Sequence, residues 1–409
     1  MPNLEFQAAD WAEVALGDVC TFRGGSGFKE QFQGQTDGDY PFIKVSDLNL
    51  PGNEKYVTTS NNWVSAAVLK NLGANLQPQG AIVFAKVGAA LKLNRRRILT
   101  RPTAIDNNMM AAIPNPDRID RDFLYYFLLV QDLGRFCQES AVPSVNQGHL
   151  SSIEIGLPSL SEQREIVGIL RTWDEALDKL QALRTAKERR FVAVAQRLLE
   201  PARAIGRNIP KSNWELTTFG EVFEERQDRN NGLGPDDVVT VGKYAIRKQS
   251  EHFSRSVASA DQSNYWTISP GDFVYDPMSA YYGALGRYDG SQDGLVSPAY
   301  RVIRLATNVQ SDFMVHLLRS HHIRFLLQAR SSQGNKEGKR RLLQRDEFAS
   351  IEFNLPPIEV QQEIARKLAH FRAAVTASEH QLELLSRQKR GLMQKLLTGQ
   401  WRVNLEDAA

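Results

Sequence analysis

Two stretches of the chain, 161–199 and 359–397, carry apolar residues at heptad spacing, contain no proline and hold one glycine each, Gly168 and Gly391. Counted from Ile166, the a positions are Ile166, Trp173, Leu180, Lys187 and Val194, and the d positions are Leu170, Leu177, Arg184, Phe191 and Leu198. The same frame in the second stretch gives Ile364, Phe371, Ser378, Leu385 and Leu392 at a, with Leu368, Val375, Leu382, Lys389 and Leu396 at d. Eight of the ten positions are apolar in each set. A pattern kept over about five heptads predicts a coiled-coil seam rather than a short globular helix. Boundary signals agree: Pro158 precedes a Ser159-x-x-Glu162 capping box, Pro201 follows the first stretch and Gly399 the second. At 1.5 Å per residue, about 39 residues span roughly 58 Å.

The rest of the chain has another texture. Positions 11–150 and 214–348 mix short β-like runs (42–45, 82–85, 238–241, 272–276 and 299–305) with Gly, Pro and Asn turns, and each holds a short apolar helix, near 122–130 and 312–318. These read as α/β globular domains. They also read as two copies. Trp11, Gly17, Asp18 and Val19 return as Trp214, Gly220, Glu221 and Val222, 203 positions on (214 − 11). Gly80 to Phe84 answers to Gly271 to Tyr275, and Asp122-Phe123 to Asp312-Phe313. Ile153, Glu154, Leu157, Pro158, Gln163, Glu165 and Ile166 return as Ile351, Glu352, Leu355, Pro356, Gln361, Glu363 and Ile364, all 198 positions on (351 − 153). Order is kept while loop lengths drift, as expected of a tandem duplication. The predicted fold class is α+β: two α/β globular domains separated by two long helices that form an antiparallel coiled coil with pseudo-two-fold symmetry. The expected segments are 1–157, helix 158–200, 201–355, helix 356–400 and a tail, 401–409.

Two lone seams cannot stay exposed, and the nearest partner for each is the other, tethered in the same chain. Antiparallel pairing would put a two-fold axis near Leu180 and Ser378, a large residue facing a small one. Two unlike domains on such a spacer suit duplex DNA, whose grooves repeat about every 34 Å. The same plan would equally serve a scaffold that holds two enzymes or two ligand-binding domains apart.

Charge narrows the options. With 50 Lys and Arg against 47 Asp and Glu, the chain is neither a histone-like polycation nor an acidic tail protein, though local basic faces remain open. Its 409 residues, 42% of them hydrophobic, allow two to four domains at roughly 100–200 residues each. The longest strongly apolar run, 123–130, is far short of the ~20 residues a membrane helix needs. No secretory leader is visible, so a cytoplasmic chain is expected. Cys20 and Cys137 are too few for a disulfide framework or a cysteine zinc site.

Several local patterns resemble the DNA-specificity subunit of type I restriction-modification systems, over nearly the whole chain: Leu16-Gly17-Asp18-Val19, Tyr40-Pro41-Phe42-Ile43-Lys44-Val45-Ser46-Asp47-Leu48, the Leu-Pro-x-x-x-x-Gln-x-Glu-Ile openings at 157 and 355, Val142-Pro143-Ser144-Val145-Asn146-Gln147, and Lys395-Leu396-Leu397-Thr398-Gly399-Gln400. The resemblance implies two target-recognition domains that bind a bipartite, asymmetric duplex. It also implies docking of two modification (methyltransferase) subunits, with ATP-dependent restriction subunits joining the full complex. S-adenosylmethionine and ATP would sit on those partners, and this chain would need no cofactor or metal. In keeping with that, it has no Asn-Pro-Pro-aromatic methylation motif; Asn354-Leu355-Pro356-Pro357 is a superficial likeness. Nor does it have a GxxxxGK[ST] phosphate loop. Competing expectations are a self-sufficient methyltransferase or nuclease, and an assembly scaffold without sequence preference.

Candidate DNA contacts follow from residue chemistry. Lys92, Arg95, Arg96 and Arg97 cluster after a predicted strand, where they would meet phosphates or fork onto guanine, or form an ordinary solvated turn. Ser144, Asn146 and Gln147 carry groups that read adenine edges, or that close a turn. The second domain departs from the first here, with 334–341 as its closing loop, and Lys336, Lys339, Arg340, Arg341 and nearby Arg345 form the clearest basic footprint. Tyr281 and Tyr282 suit packing on sugars or bases, or in a core. Other patterns carry less. Ser26-Gly27-Phe28-Lys29 lacks companion motifs, and His316, His321 and His322 lack helical metal spacing. Arg184, Lys187 and Lys389 interrupt the heptads, either to meet a partner or to snorkel at the seam edge.

Overall fold

The computed structural model describes residues 7–8, 10–136, 143–199, 214–234, 237–249, 261–333 and 341–403. The chain divides into two compact units, Met1–Gln181 with His380–Ala409, and Ala182–Glu379. Each unit combines a globular domain with half of each long helix.

In the first unit a five-stranded sheet runs in the order Cys20–Gly24, Met109–Pro114, Ile82–Ala85, Arg96–Leu99, Tyr56–Val57. Ile82–Ala85 is buried along its whole length, which explains its unbroken apolar sequence: both faces of the sheet are covered. Ile82, Phe84, Ile98 and Met110 pack toward the helix Arg121–Val130, while Val83, Leu99, Met109 and Ala111 pack toward Ile43 and Leu48 on the other side. A four-stranded sheet, ordered Trp63–Val64, Tyr40–Ile43, Thr103–Ile105, Leu76–Gln77, completes the domain. The run expected at 42–45 is a strand only to Ile43; Val45–Asn49 winds as a 3-10 turn, with the Asp47 carboxylate accepting from the Lys44 amide at 2.7 Å.

The second unit repeats the plan with losses. Its central sheet has four strands, Phe223–Arg226, Arg301–Leu305, Phe273–Tyr275 and Leu285–Arg287, beside the two-stranded pairs Val239–Gly242 with Ala245–Lys248 and Trp266–Ile268 with Gly294–Val296. Gly80 and Gly271 both take left-handed φ values, 87° and 93°, at the turn before the equivalent strands. That conformation explains why glycine recurs there. The helix Ser311–Leu318 matches Arg121–Val130, and a further helix, His321–Arg330, was not legible in the periodicity.

Each domain is closed at its base in the same way. Ala12–Ala15 pairs antiparallel with Glu154–Leu157, and Glu215–Thr218 with Glu352–Leu355, so the two ends of each domain meet where a long helix begins. A buried glutamine fixes that junction. Gln163 accepts from the Asp120 amide at 2.7 Å and donates to the Pro158 and Arg118 carbonyls at 2.9 and 3.2 Å. Its repeat counterpart Gln361 accepts from the Gln310 amide at 2.8 Å and donates to the Pro356 carbonyl at 2.8 Å. Asp120 and Gln310 are the N-caps of the equivalent domain helices.

The long helices span Leu160–Leu199 and Ile358–Leu397. In the first unit Ile166, Val167 and Leu170 share a core with Met393, Leu396 and Leu397, and Asp174 is ion-paired with Lys389. In the second, Arg184 meets Glu379 at 2.6 Å, Glu188 meets Arg372 at 3.2 Å, and Phe191 and Leu199 share a core with Ile364 and Leu368. As residue numbers rise along one helix they fall along the other, so the pairing is antiparallel. None of the a and d positions is exposed, and this includes the seam positions Ile166, Leu170, Trp173, Leu177, Leu180, Phe191, Ile364, Leu368, Phe371, Leu382 and Leu385. The four non-apolar seam residues are covered too. Ser378 does not face Leu180 as expected. Lys187 donates to its hydroxyl at 2.8 Å, so the helices pair with a stagger relative to their midpoints. Lys187 lays its aliphatic stem in the seam and spends its charge on that hydroxyl and the Ala374 carbonyl. Among the described residues no helix is long and apolar enough to cross a membrane.

Candidate nucleic-acid interface

In the first domain the basic cluster does not act as one group. Lys92 ends the short helix Ala89–Lys92, and Asn94, with φ of 52°, turns the chain into the strand Arg96–Leu99. Period two then puts Arg96 in step with Ile98, on the face that packs into the core. Its side chain is fully buried, its guanidinium lies 4.9 Å over the Phe84 ring, and the Asn94 side-chain oxygen accepts from it. Burial pushes the Arg96 guanidinium down to about 9, and burial also lowers Arg97, which is half-buried and donates to the Arg96 carbonyl at 2.8 Å. The expectation for Arg96 is therefore corrected: it sits inside the domain. Lys92, exposed, and Arg95, half-buried, remain at the surface.

The second candidate set meets the first. Residues 143–145 run alongside 86–88: Ser144 bridges Val87, the Gly88 amide donates to the Pro143 carbonyl at 2.8 Å, and the Val145 amide donates to the Lys86 carbonyl at 3.0 Å. Gly88 leads directly into the helix that ends at Lys92. Asn146 caps the next helix by accepting from the His149 amide at 2.8 Å, and Gln147 donates to the Phe22 carbonyl at 3.0 Å. Both side chains thus have local structural work, though both residues are exposed. Val142 lies outside the described residues. Sequence reasoning passed over Lys86 and Arg23, which border this segment and make no ion pair with a described residue. The signal for Lys86 was its place directly after the buried strand Ile82–Ala85.

In the second domain Tyr281 and Tyr282 form a 3-10 turn, edge to face at 5.5 Å, with Tyr282 44% exposed. The Arg341 guanidinium lies 5.8 Å from the Tyr281 ring and donates to the Gln328 carbonyl, so two candidates distant in sequence come together. Arg345 stands apart, ion-paired at 2.7 Å with Glu225, which Arg301 also approaches at 3.5 Å. Lys336, Lys339 and Arg340 lie outside the described residues. Missed in the sequence was the hairpin 239–248, where Lys243, Arg247 and Lys248 are exposed and in no ion pair with a described residue. Its tip residue Tyr244 has φ of 55° and packs on Gly283, where an added Cβ would stand 2.6 Å from the ring. The hairpin is thereby seated next to Tyr281 and Tyr282. His316 is packed near Phe191, and burial, reinforced by Arg319 and Arg372, pushes it down to about 4, so it is neutral at pH 7. Among the described residues no three His, Cys, Asp or Glu side chains converge to hold a metal.

The chain is thus a tandem duplication in which each of two unlike globular domains is closed where a long helix begins. Residues 8–187 match the family model described as the type I restriction modification DNA specificity domain. The chain is 20% identical to the StySPI specificity subunit of Salmonella potsdam over 97% of its own length and 91% of that relative's. It is 21% identical to the MjaVIII specificity subunit of Methanocaldococcus jannaschii over 96% and 93% of the two chains. The match to the MjaIX specificity subunit of the same organism, also 21% identical, spans 54% of this chain and 53% of that one. The fold resembles the S subunit from M. genitalium, with a TM-score of 0.53 at 13% identity over 97% and 98% of the chains. It also resembles a chain solved for the assembly and conformational transition of the type I R-M system, with a TM-score of 0.59 at 15% identity over 97% and 100%. Over residues 8–187 the chain carries the match to the type I restriction modification DNA specificity domain, and along nearly its whole length it is similar to specificity subunits of type I restriction enzymes.

Proposed function

We propose that this chain recognises a bipartite, asymmetric site in double-stranded DNA, each globular domain reading one half. The observation that carries this reading is the unlikeness of the candidate faces on a shared frame. The first domain offers Lys86, Lys92 and Arg95 beside Ser144 and Asn146, while the second offers Tyr281, Tyr282 and Arg341 beside the hairpin cations Lys243, Arg247 and Lys248. Cations supply salt-sensitive phosphate affinity, and a few polar or aromatic side chains supply base discrimination. Unlike faces should select unlike half-sites.

The long helices would dock two modification subunits, which carry S-adenosylmethionine; ATP-dependent restriction subunits would join the full complex in the cytoplasm. Support for docking comes from apolar residues off the seam: Ile169, Leu183, Val192 and Leu384 are 37 to 47% exposed on helices that already have a mate. Such residues have no role in the seam itself and suit a second partner. The test is footprinting on random duplexes with the modification subunits present. Two protected blocks of unlike sequence separated by an unread spacer support the reading, and one contiguous block contradicts it.

A further inference from the structure

The two long helices are repeat copies offset by 198 residues (364 − 166), so each contact between them has a counterpart in which the helices exchange roles. Asp174 of the first is ion-paired with Lys389 of the second. Exchanging roles gives Arg372 (174 + 198) and Phe191 (389 − 198), and there the guanidinium lies 4.0 Å over the ring. The same Arg372 is ion-paired with Glu188 at 3.2 Å. Matched positions are thus filled by different chemistry in the two copies.

We propose that Asp174, Lys389, Arg372 and Glu188 form a pairing code that makes each helix accept its unlike mate and reject a second copy of itself. Pairing the first helix with another first helix in this register replaces Arg372 by Asp174, which then faces Glu188, and replaces Lys389 by Phe191, which leaves Asp174 with Lys55, at 3.0 Å, as its remaining cation. Pairing the second helix with another second helix replaces Asp174 by Arg372, which then faces Lys389. By symmetry each clash occurs twice. Both like-with-like pairs therefore set equal charges together, while the unlike pair has none of these clashes. Repulsion against the wrong partner is a recognised route to specificity. It is strongest at the Asp174–Lys389 position, where the side chains are only 25% and 12% exposed and solvent screens poorly. The surface thus fits one partner class, the complementary repeat of this chain, and this holds whatever the domains read.

The test cuts the full, folded chain at a specific protease site placed between residues 205 and 206, which lie outside the described residues. The nicked protein is unfolded in urea, refolded and weighed by native mass spectrometry, which separates like from unlike pairs by mass. The code predicts unlike pairs in more than about nine of ten complexes, against one half for indifferent pairing. Glu188→Gln with Arg372→Gln alters side chains that are 36% and 42% exposed, so the fold is kept. This pair of changes should raise the like-paired fraction severalfold. Asp174→Arg with Lys389→Phe gives the Asp174–Lys389 contact the chemistry of its Arg372–Phe191 counterpart and should bring re-pairing to the statistical distribution. Indifferent pairing by the unaltered chain overturns the code, and so does unlike pairing that persists undiminished in the Glu188→Gln, Arg372→Gln protein.

Discussion

Gln163→Leu tests how the long helix is locked to the first domain. The side chain is fully buried, and its removal leaves the Asp120 amide without its acceptor at 2.7 Å and the Pro158 and Arg118 carbonyls without their donor. Leucine is close in volume, so cavity formation adds little. A buried polar group left unpaired costs about 1–3 kcal/mol, and a carbonyl retains some compensation, which puts the total at about 2–4 kcal/mol. Gln361→Leu removes two bonds and should cost about 1.5–3 kcal/mol by the same reasoning. Amide hydrogen exchange resolves the effect by segment. Gln163→Leu should speed exchange in Arg121–Val130 by roughly 30-fold or more, taking 2 kcal/mol as its lower bound, and leave Ser311–Leu318 unchanged; Gln361→Leu should do the reverse. If both helices keep wild-type protection in both variants, the junction is held by apolar packing alone and the reasoning fails.

Salt dependence separates surface from buried cations. Lys92→Ala and Arg95→Ala should each weaken DNA binding and lower the slope of log affinity against log salt by about 1, whereas Arg96→Met should leave that slope unchanged. For the acid limb, burial opposes ionisation of Asp122 and Asp174. Hydrogen bonds from Arg121 and Arg171 to the one, and from Lys389 and Tyr126 to the other, outweigh it and hold both carboxyls below the ordinary 3.8. Their stabilisation is present above that value and is lost as pH falls through the folded-state value. Melting temperature followed against pH should therefore drop steeply below about 4 and more gently in Asp122→Asn. Gly17→Ala brings a Cβ to 2.9 Å from that of Ser151 and should cost about 1–3 kcal/mol, more than Gly220→Ala, whose nearest neighbour stands at 3.2 Å; urea titrations compare the two.

The long helices were legible because a seam repeats its chemistry every seven residues, and Arg184, Lys187, Ser378 and Lys389 could be placed on it despite their polarity. The duplication was legible for a related reason: Gly80 and Gly271 serve the same left-handed turn, and Gln163 and Gln361 the same junction. What those glutamines do was hidden, since the N-cap amides they accept from lie 43 and 51 residues away in sequence. Arg96 could have been removed from the candidates by strand alternation, which puts it in step with buried Ile98. The pairing of Arg345 with Glu225, and the seating of Tyr244 on Gly283, depend on tertiary neighbours that no local spacing reveals. Arg341 beside Tyr281 is likewise a product of folding.

The central claim is that two unlike reading domains act separately within one subunit. Exchange of residues 214–355 for the corresponding domain of a similar specificity subunit, followed by mapping of the methylated DNA sites with the modification subunits present, tests it most directly. One half-site should change while the other half and the spacer length stay as they were. A target in which both halves change together, or neither does, would contradict the account.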